Sequence, residues 1–293
     1  MYDHTPTVRA RTLGLELRRA LDEAGLNGSQ IAERLGCSPS KVSRMLSGKR
    51  HANPTHVAAF LALCGVKSPD WDAVLELADD VYNPVWWQDF GSGVPTRIPA
   101  RDEIEASATK IVCYGNAHVP DLLHTPDYTR AVLRVVPAIP DDELEDRTAD
   151  TVRRQEILER HVPPELVVYL DEHVLTRTGA GDDIMSDQAH HLLRMALRPD
   201  IQVRVIPEAC RVGDVKPFTL FRFEDCPPVV CVEHPTSVAY LEKPATIATY
   251  ETVLVALRQA ALDATTTRDW LAELGRRRSP HRLVMDPQPV EGR

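Results

Sequence analysis

The stretch that most constrains this chain is residues 25–50, GLNGSQIAERLGCSPSKVSRMLSGKR, where two short helices are written out with their starts and stops. Asn27 is a strong N-cap, and Gln30 three residues later completes a capping-box pattern. Ile31, Ala32 and Leu35 make one apolar face, and Gly36 ends it. Ser38 followed by Pro39 opens the next helix, with a hydroxyl cap and then proline at the first helical position. Val42, Met45 and Leu46 face inward, and Ser47-Gly48-Lys49 closes the segment. Ahead of this pair, Leu13, Leu17, Ala20, Leu21 and Ala24 recur at helical spacing until Gly25. Behind it, residues 54–64 and 71–82 read as two more helices. Residues 1–82 are thus predicted to be an all-α domain of about five helices, with 1–10 as a loose arm.

Two short helices joined by a tight glycine-containing turn form a helix-turn-helix, whose second helix enters the DNA major groove with its N-terminal residues toward the bases. Here that helix presents Ser40, Lys41, Ser43, Arg44 and Ser47 outward, a face of short hydroxyls and long cations. Residues 38–50 hold Lys41, Arg44, Lys49 and Arg50 and no acid. The formal net charge of −9 is unevenly spread. Residues 1–67 carry ten Lys/Arg against five Asp/Glu, while residues 68–293 carry 24 against 38. Attraction to an anionic partner follows the local field, so an acidic total is compatible with a DNA-binding N-terminal module.

The segment resembles the phage-repressor-like helix-turn-helix family, the XRE family, through Ile31-Ala32-x-x-Leu35-Gly36, Ser38, Val42-Ser43-Arg44 and Ser47-Gly48-Lys49, over about residues 11–66. The resemblance implies double-stranded DNA as partner, with Ser40 and Arg44 as base readers. It implies phosphate contacts from Asn27, Lys41, Lys49 and Arg50, and Ser29, Ser38 and Ser43 complete the candidate set. One position departs: Gly28 stands where the family often has a phosphate-contacting Gln, so that contact falls to backbone amides at the helix start.

Residues 83–100, with Pro, Gly and the Trp86-Trp87 pair, read as a linker into a second domain at 101–278. That domain alternates helical patterns (103–111, 125–135, 141–160, 182–197, 244–262, 265–278) with β-branched runs at 166–175, 202–207, 218–223, 229–234 and 237–242. An α+β fold with one sheet of about five strands is expected, followed by a disordered tail at 279–293. This domain also resembles something: the C-terminal domain of the actinobacterial WhiJ-like, antitoxin-like regulators. The matching pieces include Trp86-Trp87, Val119-Pro-x-Leu122-Leu123-x-Thr125-x-x-Tyr128, Arg153-Arg154-Gln155, Leu170-Asp171-Glu172 and Tyr240-Leu241-Glu242. Asp121 and His124 depart from it, standing where the group tends to have Gly and Gln. The resemblance implies regulation rather than a reaction, and a small partner protein encoded by a neighbouring gene.

No apolar run reaches the 18 residues of a membrane span, and the N-terminus lacks an apolar secretory region. Six cysteines without a CxxC pair argue against a zinc ribbon or a disulfide framework and fit the cytoplasm. No phosphate-binding, nucleophile-elbow or HExxH motif occurs, so no enzyme, cofactor or metal is expected. Asp171-Glu172 would diverge across a strand rather than converge as an acid/base pair. His190 and His191 diverge on a helix, and Asp187 with His190 lacks a third ligand at helical spacing. Cys226 and Cys231 read as structural thiols, with a redox pair as the alternative. The expectation is a cytoplasmic, sequence-specific DNA-binding transcriptional regulator, a homodimer through the strand edges or the 244–262 helix of its second domain. The alternative is an antitoxin-like protein that sequesters a small partner and autoregulates its operon.

Overall fold

The computed structural model describes residues 6–49, 53–90, 98–135, 139–140, 142–177, 179–234 and 236–278. The start of the expected arm (1–5), Arg50, residues 91–97 of the expected linker and the expected tail (279–293) lie outside the described residues. In chain order the helical N-terminal part holds α1 (Val8–Glu23), α2 (Gly28–Arg34), α3 (Pro39–Leu46), α4 (Pro54–Cys64) and α5 (Asp70–Leu77). Next come β1 (Val85–Asp89), α6 (Pro99–Ser107), β2 (Lys110–Gly115), α7 (Pro126–Arg134), α8 (Leu144–Gln155), β3 (Glu165–Asp171) and α9 (Glu172–Thr176). The chain continues with α10 (Asp182–Met195), β4 (Ile201–Ile206), β5 (Phe218–Arg222), β6 (Val229–His234), β7 (Ser237–Leu241), α11 (Pro244–Ala260) and α12 (Ala264–Arg278).

These elements divide into two compact units: residues 1–111 with 219–252, and residues 112–218 with 253–293. In the first, α1 to α5 pack around Leu17, Ile31, Val42, Met45, Phe60 and Leu61. Thr7 caps α1, its hydroxyl oxygen accepting from Ala10 N–H while its proton goes to the Val81 carbonyl. Residues 8–10, placed in the arm by sequence, are therefore the first turn of α1. The Val8 N–H donates to both carboxylate oxygens of Glu242, at 3.1 and 3.2 Å. Arg11 lies 3.5 Å from Glu103 of α6, and its guanidinium sits 4.4 Å over the Phe223 ring. Burial lifts the Glu242 carboxyl to about 7, against the opposing pull of the Val8 N–H and Arg11.

The strands of this unit run in the order β1-β7-β6-β5, each pair antiparallel, with Trp86 opposite Tyr240 and Cys231 opposite Tyr240 on the other side. On β1 the two tryptophans point to opposite faces, as alternation requires. Trp86 is 7% exposed and packs 5.3 Å from Tyr240. Trp87 is 54% exposed beside His234.

In the second unit β3 runs parallel to β4, with Val168 opposite Val203, and α10 forms the connection between them. Helix α10 packs on α12, and α12 on β4. The outer edge of β4 is covered: the Val205 N–H donates to Thr267 Oγ1 (3.2 Å), and the Leu262 N–H donates to the Val205 carbonyl (2.8 Å).

Among the described residues there are seven strands where sequence reading gave about five. Residues 85–89, read as linker, form β1, because Val-Trp-Trp is strongly β-prone and finds β7 as partner. Residues 110–115 form β2, whereas helical spacing around Ile104 had carried the preceding helix to 111. The expected strand at 166–175 stops at Asp171, and Glu172–Thr176 wind into α9. Helix α5 ends at Leu77 rather than at residue 82.

Candidate nucleic-acid interface

The two helices of the 25–50 stretch are fixed by the caps that sequence identified. Asn27 Oδ1 accepts from the Ser29 and Gln30 amides at 3.1 and 3.0 Å, and Gln30 Oε1 accepts from the Asn27 N–H at 2.9 Å. Ser38 Oγ accepts from the Lys41 N–H at 3.3 Å, with Pro39 at the first helical position. Val42 and Met45 are buried beneath α3, which orients the opposite face toward solvent.

α3 is held from behind by α1 at backbone contact. A Cβ on Gly14 would come 2.3 Å from the Leu46 carbonyl oxygen. Gly48, at φ +68°, ends α3 in the left-handed region, and a Cβ there would meet the Ala10 carbonyl oxygen at 2.8 Å. The Arg18 guanidinium donates to the Leu46 carbonyl, placing a cation at the negative end of α3.

Of the predicted site residues, Asn27, Ser29, Ser38, Ser40, Ser43, Arg44 and Lys49 are exposed. Lys41 is half-buried, its ammonium 2.8 Å from Nε2 of His56 on α4. Arg44 folds back along α3, its Nε donating to the Ser40 carbonyl at 3.1 Å. Asn27 and Ser29 of the α2 cap and Ser43 and Ser47 of α3 line one open groove of about 570 Å³ with Arg18. None of the residues lining that groove is acidic. The structure thus brings the α2 start and the α3 face to one surface. It also narrows one expectation: the Ser29 and Gln30 amides are engaged by Asn27, which leaves less free backbone for the phosphate contact assigned to the start of α2. Arg18 was missed, because on α1 it reads as one more outer-face cation.

The other candidate groups behave as structural elements. Asp171 is buried and accepts from the Tyr114 hydroxyl at 3.1 and 3.2 Å, while the Glu172 carboxylate accepts from the Glu208 N–H at 3.0 Å. The two carboxylates serve different neighbours. Burial raises the Asp171 carboxyl, and burial together with Asp171 lifts the Tyr114 phenol to about 12. His190 Nδ1 bonds to the Ser186 carbonyl at 2.8 Å. Cys226 is half-buried and Cys231 buried, both free thiols. One group was not foreseen: His118, Asp121 and His124, spaced three residues apart, each bring a ligand atom within 4.8 Å of the others. Burial pushes the His124 imidazole down to about 4.

Residues 12–78 match a family described as a helix-turn-helix domain, and residues 102–273 match one described as a domain of unknown function, DUF5753. No curated protein matches the chain. One similar solved structure is that of TrmBL2, described as an archaeal chromatin protein with a novel mode of DNA binding. The match has 11% identity and a TM-score of 0.30, covers 65% of this chain and spans 58% of the length of that one.

Proposed function

The chain belongs to the DUF5753 family and carries a helix-turn-helix domain ahead of the matched region; on that premise we propose that it is a cytoplasmic, sequence-specific transcriptional regulator acting as a homodimer on double-stranded DNA. The observation that carries this reading is the α3 surface. Ser40, Ser43, Arg44 and Lys49 are exposed on or beside one helix whose opposite face is locked by Val42, Met45 and the backbone of α1. Ser40 and Arg44 read base edges in the major groove, Asn27, Lys41, Lys49 and Arg50 contact the phosphates, and Ser29, Ser38 and Ser43 complete the DNA-facing set. Of the described residues, no helix is long and apolar enough to cross a membrane.

The region that follows the five N-terminal helices supplies the signal input and the dimer contact rather than a reaction. Residues 261–267 already occupy the β4 edge, so the dimer contact falls to β1, with its exposed Trp87, or to α11, with Val255 54% exposed. Chromatin immunoprecipitation from the native host, with light scattering of the purified full chain, tests the reading. Discrete genomic sites bound by a dimer support it. A monomer that gains operator affinity only with a co-purifying small protein supports the antitoxin-like reading instead. The absence of any enriched site overturns both.

A further inference from the structure

The turn between β2 and α7 brings together three side chains that the DNA-binding reading does not use. From His118, Asp121 and His124, whose ligand atoms all lie within 4.8 Å of one another, the geometry points to a binding site for one divalent transition cation of the zinc class. Two imidazoles and a carboxylate are a donor set that suits such a cation and leaves a further position for water or a carbonyl oxygen.

His124 is the fixed ligand. It is buried, packs edge-on against the Tyr128 ring at 4.8 Å, and sets Nδ1 3.2 Å from Thr129 Oγ1. In the metal-free ring the proton sits on Nε2, which donates to the Val119 carbonyl oxygen at 2.5 Å. A neutral imidazole carries one N–H, so a metal at Nε2 moves that proton to Nδ1, where Thr129 Oγ1 stands to accept it. Asp121 Oδ1 lies 3.9 Å from the same Nε2. A cation at Nε2 takes the place of that hydrogen bond and draws the Asp121 carboxylate to it. The Nδ1–H bond to Thr129 is then the outer contact that fixes the tautomer of a metal-bound histidine.

Asp121 is oriented in the same way. Arg154, itself buried, holds Oδ2 at 3.0 Å, and Oδ1 lies 3.9 Å from His124 Nε2. His118 is the mobile ligand. It is exposed, stands edge-on to His124 with ring centroids 6.0 Å apart, and sets Nδ1 2.8 Å from the same Val119 carbonyl. Zinc–nitrogen bonds of about 2.0–2.1 Å put tetrahedral ligand atoms roughly 3.4 Å apart, so closure needs a shift of about 1–2 Å. An exposed side chain makes that shift without disturbing the core.

The test uses the full chain, stripped of metal by a chelator and titrated with zinc by calorimetry, and with cobalt by its visible absorption. Expected are one equivalent bound, the intense absorption of four-coordinate cobalt, and a higher melting temperature with zinc. His118→Ala, an exposed change that leaves the metal-free melting temperature in place, is expected to weaken binding about tenfold or more. Asp121→Asn is expected to do the same where it folds. No saturable uptake, or uptake by His118→Ala as tight as by the native chain, overturns the proposal.

Discussion

Arg44 and Lys49 are both exposed on the surface around α3, yet their loss is expected to read differently at the operator. Arg44 lies on the helix face proposed to enter the groove, with its Nε donating to the Ser40 carbonyl along that face. Arg44→Ala is expected to cost about 1–3 kcal/mol at one base pair and to relax preference there. Lys49, just past the end of α3, is proposed as a backbone contact, so Lys49→Ala is expected to weaken every sequence alike and to flatten the salt slope by about one. A panel of single-base-pair operator variants measures both. The same uniform loss from both substitutions rules out Arg44 as a base reader. Arg18 marks where sequence stops being informative at this scale. Its acceptor, the Leu46 carbonyl, lies 28 residues away, and no local pattern announces such a partner.

At the scale of elements, the caps of α2 and α3 were legible because a cap is written within four residues. β1 and β2 were not, because whether a short apolar run pairs as a strand depends on partners elsewhere in the chain, and β1's partner begins about 150 residues later. The seat of α3 against α1 was equally hidden, since Gly14 and Gly48 read as ordinary helix and turn residues. Gly14→Ala and Gly48→Ala are expected to lower stability by about 1–3 kcal/mol each, read as a fall in melting temperature. In both variants operator affinity is expected to fall with stability, because the carbonyl groups that a methyl would strike belong to α3 and α1 themselves. A second consequence concerns pH. Glu242 has its folded-state pKa lifted to about 7, so the native state holds a proton that the unfolded chain has lost above its ordinary range near 4.5. Its contribution is present in full below that range and declines as pH rises to about 7. Glu242→Gln, which keeps an acceptor for the Val8 N–H, is expected to flatten this decline in melts run from pH 5 to 8.

For the whole molecule, the separation of charge sets the salt response. If Lys41, Arg44, Lys49 and Arg50 each meet the DNA, about four contacts give a log–log slope near −3.6 per protomer, and about twice that for a dimer. A slope near zero in filter or fluorescence titrations excludes this surface. Reading two half-sites requires them about 34 Å apart or a multiple of it, which footprinting on a bound operator resolves. The division of the chain adds something that neither charge nor groove supplies. The helix-turn-helix is made before the rest of its unit: β5, β6, β7 and the carboxylate that meets the first turn of α1 arrive only from residue 218 on. At roughly 5–20 residues per second, the nascent helices wait about 10–30 s between the end of α5 and the synthesis of Glu242. During that interval the basic helices lack the Glu242 contact to α1 and strands β5 to β7, so on the proposed reading full DNA-binding competence waits for the synthesis of residue 242.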